Sequence, residues 1–90
     1  MAKIEKFEGH PAANCYIINR NDGGKVLRSY STTVAEIDVD GWVTVHGLYS
    51  RTTIKHIGWF MRSLGSTYQI AKQIAGTGNS YNIYTGEYSM

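Results

Sequence analysis

The residues with the clearest chemical potential lie in the segment 49–56, which has the sequence YSRTTIKH. Its hydroxyls suit the start of a helix, because they can accept hydrogen bonds from the first free backbone N–H groups. Its cations do not, because basic side chains at the positive end of the helix dipole cost about 0.3–1 kcal/mol. A bound phosphate or carboxylate would turn that cost into attraction, although the cations could instead simply extend into water. The residues of this expected anion site are Arg51, Thr52, Thr53, Lys55 and His56.

Groups that could act as a nucleophile or hold a metal are few. The chain has one cysteine, Cys15, and three histidines, His10, His46 and His56, whose spacing fits neither a catalytic triad nor a metal-binding motif. Cys15 lies in a run of strand-forming residues, where a buried and unreactive thiol is expected. The acidic residues within 36–40 flank a hairpin tip, where carboxylates exposed to solvent lack the environment that acid–base catalysis requires. We therefore predict no catalytic residue, no metal, no cofactor and no enzymatic activity.

Charge is distributed unevenly along the chain. Residues 1–40 carry five Lys or Arg and six Asp or Glu, a sum of −1. Residues 41–86 contain no Asp or Glu, and carry Arg51, Lys55, Arg62 and Lys72, a sum of +4. Such a basic half in a small protein points to an anionic partner, either a nucleic acid or an acidic protein surface.

Length and composition favour one domain, 1–90, with its own core, since 42% of the 90 residues are hydrophobic. The first residues mix charges of both signs and no long apolar run follows, so we expect neither a secretory signal nor a membrane span. One cysteine allows no internal disulfide, which fits a cytoplasmic location.

Two hairpins are predicted in the first half of the chain. The first joins residues 15–20 and 25–30 through an Asn-Asp-Gly-Gly turn, and the second joins residues 33–38 to 42–46. A three-residue loop, Val39-Asp40-Gly41, pairs Ile37 with Val43 and keeps the apolar residues on one face, with Gly41 in the left-handed region. The outward face then carries Thr32, Val34, Glu36, Asp38, Trp42, Thr44 and His46.

Two helices are predicted in the second half. Ile54, Ile57, Met61 and Leu64 have helical spacing and should face the sheet from a helix near 52–64 that ends at Gly65. The sequence Ser-Thr-Tyr-Gln at 66–69 is a capping box that can open a short helix near 67–75.

The outer side of the first helix is predicted to be basic and aromatic. Lys55, Trp59 and Arg62 share one side, and His56 and Phe60 lie on another. Core packing is favoured for Phe60 and for Tyr30, whereas Trp59 is equally compatible with the core and with a contact surface.

These elements combine into an α+β fold, in which one main helix and one short helix pack on an antiparallel sheet of three to four strands. The tail at 80–85 has strand character and either adds an edge strand or simply packs. An edge strand at either end could pair across a dimer, so the oligomeric state is open.

Two motifs, YSTTVA at 30–35 and YSRTTIKH at 49–56, resemble a family of small bacteriophage and mobile-element proteins without established activity. The resemblance covers residues 28–58, with Thr33 where a proline is common. It implies a non-enzymatic accessory protein that inhibits a host defence or a nucleic-acid-handling machine, in the manner of an anti-CRISPR protein. Its partner would then be a host protein or a nucleoprotein complex in the host cytoplasm.

The two functional hypotheses use the same surface. An inhibitor would anchor Trp59, Phe60 or Trp42 in its partner, ringed by cations. A DNA- or RNA-binding protein would place cations against phosphates and stack Trp59 or Tyr68 on bases. The binding residues common to these interpretations are Arg51, Thr52, Thr53, Lys55, His56, Trp59, Arg62 and Lys72.

Overall fold

One antiparallel sheet and two helices make up the part of the chain that the structure, a computed structural model, describes: the backbone of residues 3–6 and all of residues 14–89. The six strands lie side by side in chain order. They are β1 Lys3–Lys6, β2 Cys15–Asn19, β3 Lys25–Ser29, β4 Thr32–Ile37, β5 Trp42–Val45 and β6 Ser80–Asn82. The helices, α1 Arg51–Ser63 and α2 Tyr68–Ile74, connect β5 to β6 and pack on one face of the sheet.

The predicted α+β class is confirmed, and the predicted number of strands is too low. Both predicted hairpins are present as β2–β3 and β4–β5. The tail forms β6, which pairs with β5. The strand that the sequence did not predict is β1, whose four residues KIEK pair with β2. A short edge strand rich in charge carries little of the β-branched and aromatic signal by which strands are recognised.

The second hairpin has the predicted register. Ile37 pairs with Val43 and Ala35 pairs with Val45. Gly41 closes the turn with a φ of +94°, and its N–H donates to the carbonyl of Asp38 at 3.1 Å. The left-handed position that a three-residue loop requires is therefore filled by glycine, which adopts it without a steric penalty.

A β-bulge in β4 changes the predicted outward face. Leu27 pairs with Ala35 while Arg28 pairs with Thr33, so Val34 is an extra residue opposite β3. The expected outward position of Val34 is therefore wrong, because at the bulge two consecutive residues, Val34 and Ala35, are both fully buried. A prediction from strict alternation could not place this extra residue.

Helix α1 has the predicted limits and most of the predicted core face. It ends at Ser63; Gly65, whose φ is +77°, follows the C-cap residue Leu64, and the N–H of Ser66 donates to the carbonyl of Met61 as in a Schellman motif. Ile57, Phe60 and Met61 are buried, which confirms the core position favoured for Phe60. The flanking residues Ile54 and Leu64 are half-buried.

Helix α2 is present without the predicted capping box. Its N-cap is Thr67 rather than Ser66, and the Thr67 side chain makes no capping hydrogen bond. Ala71 and Ile74 hold the helix against the core, and the N–H of Gly76 donates to the carbonyl of Val45 at 3.0 Å. Packing against β5 therefore fixes this short helix more than its own cap does.

Neither described helix is long and apolar enough to span a bilayer.

Candidate functional site

A chain of polar side chains, buried except for Ser50, joins the start of α1 to the end of β3. Ser50 Oγ caps the helix by accepting from the N–H of Thr53 at 3.1 Å. Thr53 Oγ1 lies 3.4 Å from Ser29 Oγ, and Ser29 Oγ lies 2.7 Å from His56 Nδ1. Ser29 and His56 are each 2% exposed and Thr53 is 5% exposed. These hydrogen bonds fix the helix N-terminus on the sheet at the end where β3 turns into β4.

The Ser29–His56 contact resembles the nucleophile and base of a hydrolase. A substrate carbonyl would have to reach Ser29 Oγ, and the 2% exposure of both residues closes that route. A short hydrogen bond between two buried polar groups is, by contrast, what burial of a histidine and a serine requires. The pair is accordingly interpreted as a structural connection between α1 and β3.

The expected outward position of His56 is wrong, and the same holds for Thr53. Both were expected to face an anion at the helix start, and both turn into the protein instead. The physical reason is the polar partner on the sheet: Ser29 supplies the hydrogen bond that makes an imidazole tolerable in the core. Arg51 and Lys55 remain exposed and Thr52 is half-buried, so the predicted cluster is divided between surface and interior.

The basic residues of α1 form a stripe along its exposed side. Arg51, Lys55, Trp59 and Arg62 follow one another at spacings of four, four and three residues, which places them on one side of the helix. Lys55 Nζ lies 6.0 Å from the centroid of the Trp59 ring, within reach of a cation–π contact. The predicted grouping of Lys55, Trp59 and Arg62 is therefore present in the structure.

Trp59 belongs both to the core and to the surface. The side chain is half-buried and packs against the hydrophobic core, and its ring lies 5.2 Å from that of His56. The Lys55 ammonium group also borders the Trp59 ring. The core therefore holds the half-buried Trp59 ring in place, and the ring does not project far from the surface.

Two exposed tyrosines extend this surface at the start of α1. Tyr30 is 53% exposed, which makes the core position favoured for it wrong, and its ring centroid lies 6.2 Å from that of His56. Tyr49 is 61% exposed, with its ring packed against the backbone of Gly47. We name the whole surface the basic aromatic face; its members are Tyr30, Tyr49, Arg51, Lys55, Trp59 and Arg62.

The sequence did not single out Tyr30 or Ser29 as part of this site. Ser29 is the last residue of β3, and Tyr30 is the first residue of the tight turn that leads to Thr32, the first residue of β4. The signal that could have located them is the two-residue spacing between consecutive strand patterns, which is typical of a tight hairpin turn.

The other predicted contact residues lie apart from the basic aromatic face. Lys72 is exposed on α2, and Tyr68 is half-buried against the core at the start of that helix. Trp42 is half-buried on β5. Of these three residues only Lys72 is charged, and its side chain is exposed.

The electrostatics of the basic aromatic face follow from the sequence around it. No Asp or Glu occurs between residues 41 and 86, so no carboxylate on α1 or α2 neutralises the cations Arg51, Lys55 and Arg62. Among the described residues, Arg20 forms an ion pair with Asp22 at 2.7 Å in the β2–β3 turn, at the opposite end of these strands from Tyr30. His46 Nε2 lies 3.4 Å from Glu36.

Within the described part of the chain, no three His, Cys, Asp or Glu side chains come together as a metal site. Cys15 is fully buried, as the sequence predicted.

The family assignment rests on nearly the whole chain. Residues 3–83 match a family described as a family of unknown function, DUF8033. The chain belongs to this family. No curated protein sequence matches it, and no solved structure matches it.

Proposed function

We propose that this protein acts by binding and that its basic aromatic face holds the phosphate backbone of a nucleic acid. The supporting observation is the alignment of three exposed cations, Arg51, Lys55 and Arg62, with the ring of Trp59 on one side of α1, without an acidic residue on either helix. Cations that contact phosphates beside rings that can stack on bases are the two components of a nucleic-acid-binding groove.

The position of Arg51 supports phosphate in particular. Arg51 opens α1, where the helix dipole disfavours a cation, and no acidic residue lies in the first turn. A phosphate near Arg51 and Lys55 would be attracted by both side chains and by the helix terminus together. The unfavourable interaction between Arg51 and the helix dipole in the free protein is thus offset in the complex by attraction to the phosphate.

An inhibitor of a host defence, the function that the motif resemblance favours, is the second candidate. Such a protein would occupy a host protein or nucleoprotein complex in the cytoplasm and would need no chemistry of its own. If the basic aromatic face docks on a protein, Trp59→Ala should weaken binding more than Lys55→Glu does, by about 2 kcal/mol or more, and binding should persist at moderate salt. Capture of host proteins from a lysate, with and without nuclease, separates the two candidates.

The proposed function is tested by removing cations in matched pairs. Binding of a fluorescent 20-nucleotide DNA is measured by anisotropy for the parent, for Arg51→Gln/Lys55→Gln and for Arg20→Gln/Lys25→Gln. Both double variants lose the same charge, and the second pair lies at the opposite end of the sheet. We expect at least a tenfold loss for the first variant and a much smaller loss for the second.

Equal losses in the two double variants would mean that total charge, and not this face, determines binding. Absence of binding by the parent at low salt would contradict the proposed function itself.

A further inference from the structure

Tyr30 has an unusual backbone conformation. Its φ is +56°, and it is the sole residue other than glycine with a positive φ among those that the structure describes. Tyr30 and Ser31 form the turn between β3 and β4, where a first position with positive φ normally selects glycine. A bulky side chain in this region is strained, because its Cβ crowds the neighbouring backbone.

The surrounding structure holds this strained residue in place. The N–H of Tyr30 donates to the carbonyl of Asn14 at 2.8 Å. The preceding residue, Ser29, is fixed by its hydrogen bond to His56, whose ring centroid lies 6.2 Å from that of Tyr30. Despite this cost in strain, the tyrosine ring is 53% exposed and contributes little to the core. Strained residues of this kind concentrate where a side chain must be presented to a ligand.

The neighbours of the ring indicate which ligand it would meet. Tyr30 and Trp59 both contact His56, and Trp59 borders Lys55. Through His56 and Trp59, the exposed ring is therefore connected to the basic stripe of α1. A flat aromatic surface next to phosphate-binding cations fits an unpaired base whose backbone follows the helix.

We infer that Tyr30 is a stacking residue for an unpaired nucleobase, so that the nucleic acid bound by the basic aromatic face is single-stranded. This inference rests on the proposed function and adds the class of nucleic acid to it. Bases within a duplex are already stacked on one another, so a protruding ring has no base face to cover there.

The test distinguishes the contribution of the Tyr30 ring to binding from the effect of its backbone strain. Binding of a fluorescent 20-nucleotide oligo-dT and of a 20-base-pair duplex is measured for the parent and for Tyr30→Phe, Tyr30→Asn and Tyr84→Asn. Asparagine tolerates a positive φ, so Tyr30→Asn removes the ring and eases the strain together. Tyr84, 74% exposed and packed against Gly41 at the opposite end of β4 and β5, provides the control ring.

We expect the parent to prefer the single strand and Tyr30→Asn to weaken that binding about tenfold or more. Tyr30→Phe keeps the ring and should retain most of the affinity that Tyr30→Asn loses, and the control Tyr84→Asn should bind like the parent. The urea midpoint of Tyr30→Asn should equal or exceed that of the parent, which excludes misfolding as the cause of the loss. If Tyr30→Asn does not fold, Tyr30→Gly is measured with the same expectation.

Equal binding of single strand and duplex, together with unchanged affinity in Tyr30→Asn or Tyr30→Gly, would overturn the inference and leave the proposed function standing. A parent that binds neither DNA would overturn both.

Discussion

The hydrogen bond between Ser29 and His56 carries a large share of the local organisation. It joins two residues that are 27 positions apart in sequence and buries both polar groups. Without Ser29, the imidazole nitrogen would lose this partner inside the protein. The same bond supports the turn that presents Tyr30.

Ser29→Ala should lower the free energy of unfolding by about 1–3 kcal/mol, because it leaves a buried hydrogen-bonding atom of His56 without this partner. Urea unfolding followed by tryptophan fluorescence measures the change. Ser31→Ala, two residues further and exposed, is the matched control and should change stability by less than about 0.5 kcal/mol. Equal effects of the two substitutions would show that the buried bond contributes nothing specific.

Gly41 and Gly58 differ in whether the local structure requires glycine. Gly41 has a φ of +94° in the β4–β5 turn, and a Cβ there would lie 2.5 Å from the Tyr84 ring. Gly58 is buried inside α1, and a Cβ built on it meets no atom of the described residues within 4 Å outside its own helix. The turn therefore requires glycine, whereas the helix merely accepts it.

Gly41→Ala should lower the free energy of unfolding by about 1–2 kcal/mol, because a Cβ is strained in the left-handed region. The exposed Tyr84 ring can move aside, so the clash adds little. Gly58→Ala should raise it by about 0.5–1 kcal/mol, because alanine loses less backbone entropy in a helix. Thermal unfolding of the two variants checks these signs, and a stabilised Gly41→Ala would contradict the described turn.

The elements differ in how far the sequence could predict them. The β4–β5 register followed from local rules, because only a three-residue loop places Ile37 opposite Val43 and glycine at the positive φ. The bulge at Val34 and the burial of His56 depend on partners far along the chain, which periodicity cannot contain. For the same reason the cations of the candidate site were predictable from α1 alone, while Tyr30 required the β3–β4 turn.

Across the whole molecule, the helices and the sheet differ in the charges that they carry. The helices cover one face of the sheet with residues that include no acid, and the described acidic residues lie on the strands, in the turns between them and near the C-terminal end. The other face of the sheet carries Trp42, Thr44 and Glu36. If the variants of the basic aromatic face bind like the parent, this other face of the sheet is the next surface to alter.

Trp59→Ala and Lys55→Glu distinguish the two partners that a basic surface could have. Against a nucleic acid, Lys55→Glu should cost more than Trp59→Ala, because the ammonium contacts phosphate while the half-buried ring mainly supports it. Anisotropy at 50 and 200 mM salt compares the variants after circular dichroism confirms that both are folded. The reverse order, unchanged by salt, would favour a protein partner.

The most direct measurement is the salt dependence of binding to a single-stranded oligonucleotide. Phosphate contacts release counterions, so the logarithm of the association constant should fall linearly with the logarithm of salt concentration, by about 0.7 for each contact on a single strand. Contacts from Arg51, Lys55 and Arg62 together predict a slope near −2, and Arg51→Gln/Lys55→Gln should bring it to about −0.7. Binding whose slope is close to zero, or whose slope is the same in parent and double variant, would contradict phosphate binding by the basic aromatic face.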